Sequence, residues 1–270
     1  MNPLSDFALT LMTNDLVLAH AADRAGVDRV GIDIERIGKQ ARQGHLKTWI
    51  SHHEEADLIG LGENVSPTRL FARCNPIHAN SRDEIDRLIN LGVHTLMLPY
   101  FKTTQHAEQF ISLVDGRAHP VLLLETREAA DKLDEICKIP GVREIHIGLN
   151  DMRLSLGWPS HFHVLASAWI EPLCSRILDA GHRLGIGGLA RMGDQSLPIA
   201  TDLVAARIAG LGASAALISR AFYRDIEPSA MDAEIASLRD WIVYAAVQPM
   251  KWRVDINTQL QREIEHFSPS

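Results

Sequence analysis

The feature that most restricts the fold is an alternation, repeated about eight times, of short apolar runs with longer amphipathic ones. Each short run has the length and the aliphatic or β-branched content of a buried parallel strand, and helical periodicity fills the intervals. The predicted strands cover residues 7–12, 29–35, 69–75, 95–99, 120–125, 144–149, 185–189 and 215–219.

This repeat predicts an α/β protein, specifically a closed (β/α)8 TIM barrel with an extra C-terminal helical segment. The chain has 270 residues, 46% of them hydrophobic, which suits one barrel. No GxGxxG follows the first strand, and Gly185-Ile-Gly-Gly-Leu lacks the spacing and the Lys of a P-loop, so it predicts a glycine-rich inner strand. We expect a catalytic barrel over residues 1–225. Residues 226–270 are expected to form a helix over 229–247 and an irregular tail over 252–270, packed on the barrel or on a neighbouring subunit.

Charge and cysteine content argue against several classes of protein. Lys and Arg total 27 against 34 Asp and Glu, a formal net charge of -7, which disfavours nucleic acid or an anionic membrane as partner. No stretch approaches the roughly 20 apolar residues of a membrane helix, and the start lacks the basic leader of a signal peptide. Cys74, Cys137 and Cys174 are far apart with no CxxC pair, so we expect a cytoplasmic protein.

Polar side chains follow several predicted strands at the point where each strand ends. Because the carboxyl ends of barrel strands surround the active site, these side chains are expected to converge on one mouth. They are Asp33, Glu35, Arg73, Asn75, Glu125, Asn150 and Asp151.

Glu125 and Asp151 are the candidate metal ligands. Each follows an apolar run, where a carboxylate stays ionised only if a cation or hydrogen-bond donors meet it. Two carboxylates completed by water and substrate oxygens suit Mg²⁺ or Mn²⁺. An equally weighted alternative is that both acids merely cap helices. Both stand at strand-to-helix turns, where the helix dipole favours a negative charge at the N-terminus.

The position of Arg73 also allows two interpretations. A guanidinium at an inward strand end grips a substrate carboxylate or a developing enolate with two parallel hydrogen bonds. The alternative is a buried salt bridge to Asp33 or Glu35, and the two roles are compatible.

Several motifs resemble, in order and spacing, those of the HpcH/HpaI aldolase and citrate lyase beta-subunit family. The resemblance extends over about residues 7–222, and the last two motifs are the most specific. The motifs are Gly31-Ile-Asp-Ile-Glu, Phe71-Ala-Arg-Cys-Asn, Leu91-Gly-Val-His-Thr-Leu-Met-Leu-Pro, Leu124-Glu-Thr-Arg-Glu-Ala and Ile147-Gly-Leu-Asn-Asp-Met-Arg-Leu-Ser-Leu-Gly.

The resemblance implies a class II aldolase, a metal-dependent carbon–carbon lyase that acts on a small 2-oxo acid and an aldehyde. It implies that Glu125 and Asp151 hold Mg²⁺ or Mn²⁺, and that Arg73 contacts the substrate carboxylate or enolate. Asp33 and Glu35 correspond to acids near the waters of the metal. Relatives pack their C-terminal helices between subunits, so we expect a homo-oligomer. The remaining implied contacts to the pyruvate-like carboxylate are the backbone amides around Gly148, Leu149 and Asn150.

Two positions depart from the aldolase pattern. Arg36 stands where the aldolases carry an acid/base His, and a guanidinium does not lose its proton in proteins. Proton transfer is therefore unassigned, and a metal-bound hydroxide, a carboxylate or another His would have to perform it. Arg36 is instead expected to bind a substrate phosphate or second carboxylate. Leu123 replaces a polar side chain two residues before Glu125. The candidate histidines are His45, His78, His161 and His163.

Two further functions stay open. One is a citrate-lyase-like reaction on a coenzyme A thioester, which would need a basic surface at the mouth, and Lys102, Arg191 and Arg220 are too scattered to establish one. The other is a non-catalytic barrel that serves as a binding subunit, supported by Arg36 alone.

Overall fold

Eight short parallel strands close on themselves in chain order, with each strand paired to the next and β8 paired to β1. The computed structural model describes residues 7–39, 42 and 51–266. The predicted (β/α)8 barrel is confirmed. The strands are β1 (Ala8–Met12), β2 (Arg29–Asp33), β3 (Leu70–Arg73), β4 (Thr95–Leu98), β5 (His119–Leu124), β6 (Glu144–Ile147), β7 (Arg183–Ile186) and β8 (Ala215–Leu217).

Helices surround the barrel and bury their apolar faces against the outer sides of the strands. They are α1 (Leu16–Arg24), α2 (Asp57–Asn64), α3 (Ser81–Asn90), α4 (Thr104–Val114), α5 (Arg127–Asp131), α6 (Leu133–Ile136), α7 (Leu149–Leu156), α8 (His161–Ala166), α9 (Ile170–Asp179), α10 (Thr201–Gly210), α11 (Arg220–Tyr223), α12 (Met231–Ala246) and α13 (Met250–His266). Within the described ranges, no helix combines the length and apolar character needed to cross a membrane.

The inside of the barrel is divided into three layers along its axis. Side chains alternate across each strand, so every second residue faces inward. The middle layer is a separate apolar cluster formed by Phe71, Met97, Val121 and Leu123, against which Met12 and Leu217 pack. This layer separates a charged cluster at the amino ends of the strands from another at their carboxyl ends.

The cluster at the amino ends is centred on the buried carboxylate of Glu144. Arg29 donates two parallel hydrogen bonds to it, at 2.6 and 2.7 Å. His119 and His146 contact the same carboxylate through their Nε2 atoms at 2.8 and 2.6 Å. Burial alone would raise the pKa of Glu144, but these hydrogen bonds outweigh it and hold that pKa well below the usual value. All acceptor positions are used, so this cluster is structural.

The irregular tail predicted over residues 252–270 is wrong for most of its length, because Met250–His266 forms the long helix α13. Trp252, Ile256, Leu260 and Ile264 recur at every fourth position and pack against the hydrophobic core. This spacing lies on one face of a helix, and the many charged residues between them conceal it. The amide of Gln261 donates to the carbonyl of Ala166 at 3.1 Å, so the helix packs on its own barrel.

Candidate active site at the carboxyl ends of the strands

Four carboxylates meet at the mouth of the barrel. Asp33 ends β2, Glu35 follows it, Glu125 directly follows β5, and Asp151 lies in the first turn of α7. Each residue is at most 6% exposed. The strands have brought together the acids that the sequence places at strand ends, and this much negative charge in a buried site requires cations.

Asp33 is the most heavily compensated of the four. Arg73 donates to both of its oxygens at 2.8 and 2.6 Å, and the ammonium of Lys39 donates to Oδ2 at 2.8 Å. The hydroxyl of Ser51 donates to the same oxygen at 3.2 Å. Burial by itself would raise the pKa of Asp33, but Arg73 and Lys39 outweigh it and hold this pKa far below the usual value. Asp33 therefore stays ionised.

Glu35 is neutralised by the loop that follows β2. Lys39 lies 3.2 Å from Oε2, and Arg42 Nη2 donates to Oε1 in a very short hydrogen bond. Arg73 is more distant, at 3.6 Å. The same loop therefore carries one acid of the mouth and two of its cations.

Glu125 differs from the other three acids in the contacts that the described residues make with it. Its Oε1 accepts a hydrogen bond from the backbone N–H of Tyr100 at 2.8 Å. Among the residues that the structure describes, no Lys, Arg or His forms an ion pair with it. Burial, followed by repulsion from Glu35 and Asp151, raises the pKa of Glu125 well above its usual value. Such a carboxylate either takes up a proton or binds a cation.

Gly148 lies directly against the second oxygen of Glu125, with no side chain between them. A Cβ at this position would lie 2.5 Å from Glu125 Oε2 and 2.8 Å from its Cβ. Any larger residue at the end of β6 would therefore fill the space beside the carboxylate. The glycine thus leaves room for a cradle at the acid of the mouth for which the described residues supply no ion pair.

Asp151 borders the same space from α7. Arg42 Nε donates to its Oδ1 at 3.3 Å. Burial raises the pKa of Asp151, Arg42 opposes this shift, and Glu35 adds to it. Its place in the first helical turn also agrees with the alternative that α7 favours an acid at its N-terminus. For Glu125 that alternative is weaker, because the cap of α5 is Thr126, whose hydroxyl accepts from Ala129 N at 3.3 Å.

The donor set fits a hard divalent cation. Within residues 7–39, 42 and 51–266, no group of three or more His, Cys, Asp or Glu side chains is arranged around one metal position. Mg²⁺ commonly takes only one or two protein carboxylates and fills the rest of its shell with water and substrate oxygens. Glu125, with its uncompensated charge and open cradle, and Asp151 beside it meet that requirement.

The first turn of α7 offers a second kind of contact. Gly148 is the N-cap residue, and the helix runs Leu149–Leu156. The first N–H groups of a helix have no acceptor within the helix and favour an anion. The amides of Leu149 and Asn150 thus lie at the start of the helix that carries Asp151, where the family resemblance implies a contact with the substrate carboxylate.

Arg36, His78 and His163 form their hydrogen bonds with groups other than the four carboxylates of the mouth. Arg36 is exposed and donates to the carbonyl of His53 at 2.9 Å. His78 contacts Glu84 at 3.2 Å, and His163 contacts the hydroxyl of Ser160 at 2.7 Å. Burial, then Arg153, lowers the pKa of His161 to about 4. His45 lies outside the described residues.

Sequence reasoning missed several side chains that the structure places at the mouth. His53 Nδ1 accepts from the backbone N–H of Asp33 at 3.0 Å, and burial lowers its pKa. Arg220, one of the scattered basic residues considered for a coenzyme A surface, begins α11 and donates to Ser51 Oγ at 2.7 Å. Apart from Tyr100, the missed residues do not stand at the ends of predicted strands, and for those after β2 the signal is the high density of charged residues. The missed residues are Lys39, Arg42, Ser51, His53 and Tyr100.

The closed barrel, with buried acids and an arginine at the carboxyl ends of its strands, defines a (β/α)8-barrel enzyme. No protein-family model matches the chain. It is 26% identical over 181 residues to a 2-keto-3-deoxy-L-rhamnonate aldolase of Shigella dysenteriae serotype 1, covering 55% of this chain and 67% of the relative.

Solved structures share the same fold. An HpcH/HpaI aldolase from Desulfitobacterium hafniense DCB-2 superposes with a TM-score of 0.58 at 15% identity, covering 79% of this chain and 86% of the other. A citrate lyase beta subunit from M. tuberculosis, complexed with oxaloacetate and magnesium, has a TM-score of 0.58 at 18% identity, covering 92% and 100%. The chain is thus similar in sequence to 2-keto-3-deoxy-L-rhamnonate aldolases and shares its fold with solved HpcH/HpaI aldolase and citrate lyase beta-subunit structures.

Proposed function

We propose that this chain is a metal-dependent carbon–carbon lyase, an aldolase that cleaves or forms a bond next to the keto group of a small 2-oxo acid. The observation that carries the proposal is Glu125, a buried carboxylate with no cationic partner among the described residues and an open face beside Gly148. The relatives named as aldolases support the reaction class.

Glu125 and Asp151 are the proposed ligands of the divalent metal, Mg²⁺ or Mn²⁺. When bound there, such a cation stabilises the negative charge that develops on an enolate. The citrate lyase beta subunit that was solved with oxaloacetate and magnesium supports a cation of this type. Asp33 and Glu35 hold the surrounding cations Lys39 and Arg73 in position.

Arg73 and the start of α7 are the proposed contacts of the substrate. Arg73 keeps one side toward the mouth, with its side chain 16% exposed, while both oxygens of Asp33 orient it. The amides of Leu149 and Asn150 offer donors to the carboxylate of the oxo acid, whereas the N–H of Gly148 already donates to the carbonyl of Leu124 at 3.0 Å. Arg36 remains a proposed contact for a more distant anionic group. Asp33 is a poor proton acceptor because its pKa is so low, so its proposed role is to orient Arg73.

We further propose that an aldehyde is the second substrate, and that the chain assembles as a homo-oligomer in the cytoplasm. Exposed apolar side chains at Val247, Met250 and Val254 support a covered surface near the C-terminal helices. The cysteines Cys74, Cys137 and Cys174 are free in the structure, which supports a reducing compartment.

The test measures proton exchange at the methyl group of pyruvate with added Mg²⁺ or Mn²⁺, because enolate formation is the step shared by all aldol substrates. Glu125→Gln and Asp151→Asn are expected to abolish metal-dependent exchange without unfolding the barrel. Glu128→Gln is the matched control, since this exposed acid pairs with Lys102 instead. Full activity of either variant after chelator treatment would contradict the proposal, and absence of exchange in the natural chain would favour a non-catalytic barrel.

A further inference from the structure

Arg42 reaches into the acidic mouth and contacts two of its carboxylates at once. Its Nη2 donates to Glu35 and its Nε donates to Asp151 Oδ1 at 3.3 Å. The side chain is only 12% exposed. Because a guanidinium does not lose its proton in proteins, it brings a permanent positive charge to Asp151.

Tyr100 holds this guanidinium in place. The carbon at the centre of the Arg42 guanidinium lies 3.6 Å from the centroid of the Tyr100 ring, a close cation–π contact. The backbone of Tyr100 has φ 46°, in the left-handed region that side chains rarely adopt. In this conformation its N–H donates to Glu125 at 2.8 Å. One strained residue thus supports Arg42 with its ring and orients Glu125 with its backbone.

These contacts set a fixed cation against the acids that are proposed to bind a divalent ion. A guanidinium and a divalent cation at neighbouring carboxylates repel each other strongly where water is largely excluded. Without the divalent ion, by contrast, Arg42 offsets the repulsion among Glu35, Asp151 and Glu125. The same side chain therefore stabilises the metal-free mouth and opposes metal binding.

We propose that Arg42 is the resident counter-ion of the metal-binding carboxylates, and that a divalent cation must displace it from Asp151 in order to bind. This inference rests on the proposed function, because it takes Glu125 and Asp151 as the metal ligands. Arg42 acts on the metal through Asp151 and is a positioning residue. The free energy of metal binding is then less favourable by the free energy needed to separate Arg42 from Asp151.

The test is Mn²⁺ binding, measured by electron paramagnetic resonance of the free ion during titration. Arg42→Ala is expected to bind Mn²⁺ about tenfold more tightly than the natural chain, since the opposing charge is gone. Arg42→Gln, which keeps most of the side-chain volume, is expected to behave in the same way and serves if the alanine variant does not fold. Arg42→Lys retains the charge and is expected to stay within about threefold of the natural affinity.

A matched control separates this effect from general changes near the mouth. Lys102→Ala removes a cation whose ammonium lies 5.4 Å from the centroid of the Tyr100 ring but pairs with exposed Glu128. Its affinity is expected to change by less than about twofold, because exposed charges are screened.

Thermal unfolding supplies a second readout that does not depend on turnover. Without metal, Arg42→Ala is expected to have a lower Tm than the natural chain. Saturating Mn²⁺ is expected to raise the Tm of this variant by more than it raises the Tm of the natural chain. If Mn²⁺ binds at a site that Glu125→Gln removes, but Arg42→Ala binds it equally or more weakly, this inference is overturned and the proposed function stands. If neither the natural chain nor the Arg42 variants bind Mn²⁺ at such a site, the proposed function itself fails.

Discussion

Arg73 and Asp33 are joined by two parallel hydrogen bonds, from Nε to Oδ1 at 2.8 Å and from Nη2 to Oδ2 at 2.6 Å. This is the buried salt bridge that was predicted from the sequence as the alternative to substrate binding by Arg73. It does not exclude the other role, since an ion-paired guanidinium keeps donors for a second anion. Asp33 fixes the direction of Arg73 and removes much of its excess positive field.

Replacing Arg73 with Met is expected to destabilise the protein by about 3–5 kcal/mol, because the buried carboxylate of Asp33 loses its main partner and, among the described residues, keeps Lys39 as its cation. The measurement is the free energy of unfolding in urea. Lys102→Met is the control, since its pair with Glu128 is solvent-exposed and is expected to contribute at most about 1 kcal/mol. Equal losses in the two variants would mean that the Arg73–Asp33 pair contributes no more than a surface pair.

The barrel was predictable because its signal repeats. Each strand supplies an apolar run, and the strand-end position of Asp33 and Glu125 follows directly from where those runs stop. That rule holds for any parallel barrel, so it does not depend on details of packing. The convergence of Asp33 and Glu125 on one mouth could therefore be predicted from the order of the residues alone.

The cations and the strained turn were not predictable in the same way. Lys39 and Arg42 follow β2 outside the apolar strand runs, and their pairing with Glu35 and Asp151 depends on tertiary contacts. Tyr100 adopts a positive φ where sequence rules lead one to expect Gly or Asn. Such choices are determined by the tertiary contacts of the loop, which propensities do not contain.

Gly148→Ala tests the cradle beside Glu125. The backbone at this residue has φ -86° and ψ 94°, which alanine adopts without strain, so the fold is expected to survive. The added Cβ would press on the carboxylate, and Mn²⁺ affinity is expected to fall by about tenfold or more, as a displaced ligand costs metal binding. Equilibrium dialysis against Mn²⁺ measures this directly.

The control for that change is Gly210→Ala. A Cβ at Gly210 would meet only the side chain of Arg253, at 3.7 Å or more, which is ordinary contact. Its Mn²⁺ affinity should match that of the natural chain. Unchanged binding in Gly148→Ala would show that the open face of Glu125 is not where the metal enters.

Gly185→Ala tests the packing inside the barrel. A Cβ on Gly185 would overlap the ring of His146, which is fully buried and held by Glu144. Such overpacking is expected to cost about 1–3 kcal/mol of unfolding free energy. Gly62→Ala is the opposite case, because nothing lies within 4 Å of its Cβ and it sits in α2. There alanine should stabilise the protein by about 0.5–1 kcal/mol.

A double variant identifies the cause of the Gly185 effect. Removing the ring with His146→Ala in the Gly185→Ala chain is expected to cost less than the sum of the two single changes, because the added Cβ then has room. Chemical denaturation of the four chains gives the coupling free energy. Additive losses would place the strain elsewhere in the barrel.

His161 is expected to make stability depend on pH. Burial, and then Arg153, lowers its pKa from 6.5 to about 4 in the folded chain. Between these values the unfolded chain binds a proton that the folded chain does not. The free energy of unfolding therefore falls as the pH falls from 6.5 toward 4. At pH 5 the loss amounts to about 2 kcal/mol relative to neutral pH. His161→Gln removes this titration while leaving His53 and His146 in place, so it should lose about 2 kcal/mol less than the natural chain when unfolding is measured at pH 7.5 and pH 5. Parallel losses in the two chains would show that the His161 ring accepts a proton in the folded state as readily as in the unfolded one.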